Sequence, residues 1–579
     1  MSSEPAAPVE PPRAVPPEAT RAARLRALAP LAFVVLLGLA AYAHAYRGAF
    51  VFDDVSHVRE NLAIRDLGAI ASWSGLLAFR HRWVAYLTFA LNYRAGGLSP
   101  AGYHAVNVAV HLANAALVFA LVVLAFRAPR LAASTLAPHA RAIGFVAAAL
   151  FVAHPIQTQA VTYVVQRMTS LATLFYLAAV VLYLHGRLAG PARSRAASAA
   201  TYAAVLVASL LAMRTKEIAF TLPFAIALVE LSLLAPTRRD LLALVPILAT
   251  AAIVPVTWLA GAPASVDAVT RVQTDLGRLD YLATELAVIV TYLSLVLLPV
   301  GQSLDHEYPI HRSFLAPEVL SALVVLAALA GLAAFLHART RASARRPLDP
   351  AARLAALGIA WWFLALSVES SLIPIVDVIN EHRVYLPSVG LFVAIAVGVA
   401  FVARRLSAPG AVGRRTAAAG ALAALVLVPV TFARNRVWAD DVSLWTDAAR
   451  KAPGKGRPLL NLGTALREAG RPAAAIAALR RGLELDPGSS YGHAQLGALL
   501  LQAGRRDEAE PELRAVLAVA PQDPEALFNL ATLMWETGRT DEARPIYARF
   551  VAVAPEAYGQ VRRLAAARGS APIPAAPVQ

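Results

Sequence analysis

Asp53 and Asp54 stand side by side in Phe50-Val51-Phe52-Asp53-Asp54, just past the first long apolar run of the chain. A carboxylate pair at the mouth of a hydrophobic helix is costly to keep there without a task. Neighbouring carboxylates repel one another, which raises the pKa of one of them. Such a carboxylate can take a proton from a hydroxyl as that hydroxyl attacks. The pair is therefore the candidate general base, with Asp53 the favoured member. The alternative is an interface pair or a helix cap. Other polar groups gather at the ends of other apolar runs: Arg80, Arg82 and Trp83; His154-Pro155 with Gln166 and Arg167; Lys216-Glu217; Asp305-His306-Glu307-Tyr308; and Asn380-Glu381-His382-Arg383. His104, Asn107 and His111 fall at i, i+3 and i+7, on one helical face. Without a carboxylate at ligand spacing they read as helix–helix hydrogen bonds rather than as a metal site. His104, at the outer end of that face, is placed to touch a substrate.

The elements that must hold these groups are apolar helices. Of 579 residues 58% are hydrophobic and 16% charged, and mean hydropathy is +0.57, which is a polytopic membrane composition. The net charge of +16 does not argue for nucleic acid, because the arginines sit in short loops between apolar runs, as membrane topology requires. The absence of cysteine excludes disulfides and thiolate metal sites. Residues 1–26 read as a disordered cytoplasmic tail, and 27–46 as an uncleaved signal anchor despite the faintly cleavage-like Ala41-Tyr42-Ala43. Further runs of about 20 residues, long enough to cross a bilayer, lie near 101–126, 143–165, 169–186, 197–213, 218–235, 241–260, 281–299, 317–338, 354–372, 386–403 and 416–433. Arginines near 127–141, 187–195, 238–239, 339–346 and 404–415 mark the cytoplasmic loops. Two such loops need an even number of crossings between them, so 281–299 is read as a re-entrant or surface helix within an outer loop, 261–316. About eleven spans remain, which brings the polar groups of five loops to one side.

From Asn461 the chain repeats every 34 residues: Leu462-Gly463, Leu496-Gly497, Leu530-Ala531; Gly470-Arg471, Gly504-Arg505, Gly538-Arg539; Pro487, Pro521, Pro555. This is the tetratricopeptide pattern of paired antiparallel helices, whose concave face receives an extended peptide or a helix. Residues 434–455 read as a linker, 456–560 as three repeats, and 561–579 as a disordered tail. The fold class is thus all-α: a polytopic helix bundle at 27–433 followed by an α-solenoid.

The order of these features resembles the transmembrane and tetratricopeptide-repeat O-mannosyltransferases and their bacterial relatives. The resemblance is carried by Phe52-Asp53-Asp54 with Asn61, by Tyr86 to Tyr93, by Gly102 to Asn107 with His111, by His154-Pro155 with Arg167, by Lys216-Glu217, by Leu304-Asp305, and by Glu381-His382-Arg383-Val384-Tyr385 through Gly390. It implies a GT-C type glycosyltransferase that takes a sugar, mannose, from a polyprenyl-phosphate carrier and places it on Ser or Thr of a protein acceptor on the non-cytoplasmic side. In that family Asp53 and Asp54 are the expected catalytic pair, and the repeats bind acceptor or partner. A lipid-phosphate leaving group calls for charge-assisted hydrogen bonds. Arg80, Arg82, Arg167, Lys216 and Arg383 are the candidates, although each could instead snorkel to the headgroup layer. His104, Asn107, Asp305, Glu381 and Tyr385 are the expected substrate contacts. Asp305 and Glu381 could equally hold a divalent cation or orient an arginine. No cofactor follows from the residues. The rival readings are a lipid-linked oligosaccharide ligase and a non-enzymatic scaffold acting through its repeats. High Ala and Arg content suggests a GC-rich bacterial genome, hence an inner membrane with the repeats in the periplasm.

Overall fold

The computed structural model describes residues 17–190, 193–259, 276–341, 343, 347–555 and 558–570. Of the tail expected at 1–26, residues 1–16 lie outside them, while 17–26 begin the helix Pro17–Ala41 instead of a disordered stretch; 571–579, Arg345, Arg346 and residues 261–275 of the 261–316 loop also lie outside. Among the described residues every regular element is helical. The chain divides into two compact units. The first comprises Met1–Arg47, Asp53–Pro299 and His311–Arg436, and the second Gly48–Phe52, Val300–Ile310 and Val437–Gln579.

Among the described residues of the first unit nine helices are long and apolar enough to cross a membrane, or ten if the bent pair Ala137–Ala153 and Pro155–Val161 is one span. The expected count was about eleven. Eight of the nine fall on expected spans, and the bent pair, with 53° between its parts, falls on a further one. Two expected spans are short instead: Leu222–Leu233 with 12 residues and Ala352–Leu366 with 15. At 1.5 Å per residue these reach roughly 18 and 23 Å, less than a hydrocarbon core. The first is shortened by the 3-10 turn Glu217–Thr221 before it and by Pro236 after it. The second gives way to the irregular serine-rich segment after Leu366. The ninth long helix is Arg278–Leu297, the run read as re-entrant, and it has the length and composition of a span.

Small residues let these helices touch. A Cβ at Gly358 would lie 2.2 Å from the Gly390 carbonyl oxygen, and a Cβ at Gly390 the same distance from the Gly358 oxygen. The helices Ala352–Leu366 and Tyr385–Arg405 therefore cross backbone to backbone, as membrane helices do where side chains are absent. The expected loop 47–100 is mostly helical, with Asn61, Asp66 and Ser72 each accepting a main-chain N–H at a helix start and the helix Trp83–Gly96 closing it.

The second unit holds three helix pairs: Gly456–Glu468 with Pro472–Leu485, Ser490–Gln502 with Arg506–Val519, and Pro524–Glu536 with Thr540–Val553. The pairs turn at Gly470, Gly504 and Gly538, with φ of 71°, 73° and 80°, a region open to glycine at no steric cost. A further helix, Asp441–Lys451, precedes them where a linker was expected, and Gly559–Ser570 follows in the stretch read as tail. Two excursions from elsewhere in the chain join this unit. Phe52 donates its N–H to Asp441 Oδ1 at 3.1 Å and sets its ring edge-on to Trp445. In 300–310, Asp305 receives Arg457 Nε at 2.6 Å on one oxygen and Lys455 Nζ at 2.5 Å on the other.

Candidate functional site

The acid pair is divided by its surroundings. Asp54 is fully buried and accepts the main-chain N–H of Val165 at 2.7 Å and of Val164 at 3.4 Å. These N–H groups open the helix Val164–Leu188, where donors lack partners within the helix and the macrodipole favours an anion. Asp54 is thus the cap of that helix. Asp53 is half-buried. Its N–H donates to the Tyr163 hydroxyl at 3.1 Å, and the same hydroxyl interacts with its carboxylate. Ser56 Oγ and His57 Nδ1 hold its carbonyl. Immediately before it, Phe52 sits at φ 50°, a conformation costly for a bulky residue and worth its strain only where the surroundings enforce it.

The first turns of the same helix gather two of the expected cations. Arg82 Nη1 donates to Met168 Sδ at 3.6 Å, and its other nitrogen lies 3.4 Å from Glu217. Lys216 Nζ donates to Thr169 Oγ1 at 3.0 Å and pairs with Glu369 at 3.1 Å. Burial alone would raise the Glu217 carboxyl, but the charges of Arg82 and Lys216 outweigh it and hold the group below the usual carboxylate range.

Arg383 belongs to the adjoining network. It donates to the carbonyls of Val378 at 3.0 Å and Asp377 at 2.6 Å, and lies 3.5 Å from Glu285. His382 N–H donates to Gln159 Oε1 at 2.7 Å, which ties this segment to the 154–169 region, and Glu381 beside it is buried. The helix Arg278–Leu297 runs past these groups along its length. The Tyr281 hydroxyl donates to the Glu369 carbonyl, the Tyr292 hydroxyl accepts Asn380 N–H, and the Val296 carbonyl accepts His154 Nε2.

The remaining expected residues stand elsewhere. Arg167 is buried on all sides and spends its guanidinium on Asn107 Oδ1 (2.6 Å), Asn92 Oδ1 (2.6 Å), the Tyr103 carbonyl (2.9 Å) and Thr88. Asn107 in turn donates to the carbonyls of Val161 and Val164, which is helix–helix bonding of the expected kind. Tyr385 lies in the bundle core, its hydroxyl shared by His111 Nδ1 at 2.7 Å and Asn114 Nδ2 at 3.1 Å. His104 is buried in the same helix as Asn107. Arg80 is half-buried, its carbonyl accepting Arg214 Nη1. Asp305 belongs to the second unit, where it orients Arg457 and Lys455. Burial would raise its carboxyl, but Arg457 and Lys455 hold it below the usual range. Among the described residues no group of three or more His, Asp or Glu could hold a metal ion.

Sequence reasoning missed Glu285, Glu369 and Tyr163. Glu285 carried a signal, an ionisable residue inside an apolar run, which marks a functional or paired group. Tyr163 carried none, since its role depends on a contact 110 residues away.

Comparison with known proteins places these features in context. Family models described as tetratricopeptide repeat match residues 438–490 and 500–567. Protein O-mannosyl-transferase Tmtc1 of Drosophila melanogaster is 31% identical over 175 residues, 27% of this chain and 18% of the relative. Protein O-mannosyl-transferase TMTC4 of Homo sapiens is 30% identical over 163 residues, 25% of this chain and 22% of the relative. The chain thus spans about a fifth of the length of these curated relatives. The crystal structure of YrrB, a TPR protein with an unusual peptide-binding site, aligns with 37% of this chain and 91% of its own at 18% identity, but its TM-score of 0.20 carries no argument. The chain is an all-helical, multi-pass membrane protein with C-terminal tetratricopeptide repeats, similar over about a quarter of its length to the TMTC protein O-mannosyl-transferases.

Proposed function

We propose that this chain is a membrane glycosyltransferase that moves a single sugar, mannose, from a polyprenyl-phosphate carrier to Ser or Thr of a protein acceptor on the non-cytoplasmic side. The carrying observation is the division of labour in the acid pair: Asp54 is committed to capping a helix, which leaves the half-buried Asp53 beside Tyr163, while Arg82 and Lys216 meet Met168 and Thr169 in the first turns of that same helix.

Asp53 takes the proton of the acceptor hydroxyl as that oxygen bonds to the anomeric carbon of the sugar. The bond from that carbon to the phosphate oxygen breaks, and its electron pair leaves with the polyprenyl phosphate. Arg82 and Lys216 stabilise the developing phosphate charge. Both are already offset, by Glu217 and Glu369, so a phosphate shares them rather than meeting bare cations. Arg383 supports the site by holding 377–378 to Glu285, and Arg80, His104 and Glu381 remain proposed donor or substrate contacts. Arg167, Asn107 and Tyr385 position the helices. The repeats receive the acceptor or a partner. The helix Arg278–Leu297 is read as lying along the outer surface, because Tyr281, Tyr292 and Val296 bond to Glu369, Asn380 and His154, residues read as lying on that side. The reading includes a bacterial inner membrane with the repeats in the periplasm.

The test supplies radiolabelled polyprenyl-phosphate mannose to membranes holding wild type, Asp53→Asn or Asp54→Asn at equal folded amounts. Label on protein with wild type and its loss in Asp53→Asn supports the reading. Transfer of glycans longer than one sugar favours a ligase. No label anywhere, with an unchanged glycoprotein profile in cells lacking the chain, favours the non-enzymatic scaffold.

A further inference from the structure

At the end of the first unit marked by arginine-rich loops, three segments converge on the C-terminus of the helix Leu222–Leu233. Arg130 donates its main-chain N–H to the Leu233 carbonyl at 3.3 Å and its guanidinium to the Leu231 carbonyl. Arg353, from the first turn of Ala352–Leu366, donates to the Ser232 carbonyl between them at 3.4 Å. Arg341, just past the helix Pro317–Arg339, completes the group: its charge and that of Arg130 act on Arg353, and all three act on His337.

The charges do not balance. The helix C-terminus offers about half an elementary negative charge against three guanidinium groups, and no carboxylate is among the partners found for them in the described residues. Neighbouring arginines are treated differently. Arg187 pairs with Glu230 and Asp240, and Arg404 with Asp349. Asp349, the nearest carboxylate in sequence to Arg353, is further occupied by Ser134 and Thr135. The sequence from Arg339 to Arg346 adds more arginine and no acid. Arg353 is only 7% exposed, and a buried charge calls for a counter-ion. All three cations are arginines, whose planar forks match phosphate oxygens in pairs.

We propose that Arg130, Arg341 and Arg353 bind the phosphate of an anionic phospholipid headgroup. Arg341 follows the end of one apolar helix and Arg353 opens another, the juxtamembrane position at which arginines bind anionic lipid. Arg130 and Arg341 are exposed and so are open to the ligand beside the buried Arg353.

The test uses the full chain purified in neutral detergent, with native mass spectrometry and thermal unfolding against phosphatidylglycerol, phosphatidylcholine and inorganic phosphate. Wild type should retain and be stabilised by phosphatidylglycerol over phosphatidylcholine. The double variant Arg130→Gln/Arg341→Gln, which leaves buried Arg353 in place, should bind phosphatidylglycerol roughly 30-fold more weakly. The control Arg238→Gln/Arg239→Gln removes the same charge elsewhere and should bind as wild type does. Equal phosphatidylglycerol binding by wild type and the Arg130/Arg341 variant overturns the site. Stabilisation by inorganic phosphate that matches phosphatidylglycerol overturns the lipid as its source.

Discussion

Asp54 accepts the Val165 N–H at 2.7 Å, while Asp53, one residue earlier, keeps part of its surface open. Two neighbouring carboxylates therefore fail in different ways. Asp53→Asn should unfold at the wild-type temperature and lose transfer by about 10²–10⁴-fold, the usual worth of a general base. Asp54→Ala should instead lose about 1–2 kcal/mol of stability, the worth of a helix cap, with activity falling in step with folded protein. Thermal unfolding and transfer measured on the same preparations separate the two.

Lys216 and Glu369 form a buried pair at 3.1 Å. Lys216→Met strands the carboxylate and should cost about 3–5 kcal/mol. The double variant Lys216→Met/Glu369→Gln should recover most of that stability, yet not donor use. Recovery of both in a double-mutant cycle would make the lysine purely structural.

Arg167 serves acceptors on four residues inside the bundle. Arg167→Lys can reach only some of them, and each buried acceptor left unpaired costs roughly 1–3 kcal/mol. Stability should fall while the KM for the lipid donor, measured on the folded fraction, stays unchanged. A raised KM at unchanged stability would restore Arg167 as a donor contact.

Acid should release the 300–310 segment late. The Asp305 carboxyl is held below its ordinary value of 3.8 in the folded state. Its contribution is therefore fully present above about pH 3.8 and is lost as pH falls through the lower folded value. Hydrogen exchange in 300–310 should be slow at pH 5 in wild type and fast at the same pH in Asp305→Asn.

The repeats and the long apolar helices were legible because each rests on a local period: Gly470, Gly504 and Gly538 mark their own turns. The short helices Leu222–Leu233 and Ala352–Leu366 were not, because hydropathy runs through the 3-10 turn Glu217–Thr221 before the first and into the segment after Leu366, where the backbone leaves the α-helix. The acid pair was visible as residue types, but not its division, since Asp54 finds its N–H partners 110 and 111 residues away. Asp305 read as a substrate contact because sequence gives no hint that its partners are Lys455 and Arg457, 150 and 152 residues on.

The bond from Phe52 N–H to Asp441 has a consequence in time. The two residues lie 389 positions apart, and a ribosome adding about 5–20 residues per second needs roughly 20–80 s to make that stretch. For that interval Phe52 is synthesised but has neither Asp441 nor Trp445 to hold it. A ribosome stalled, or a message truncated, before Asp441 would leave an early segment of the chain without its later-made partner.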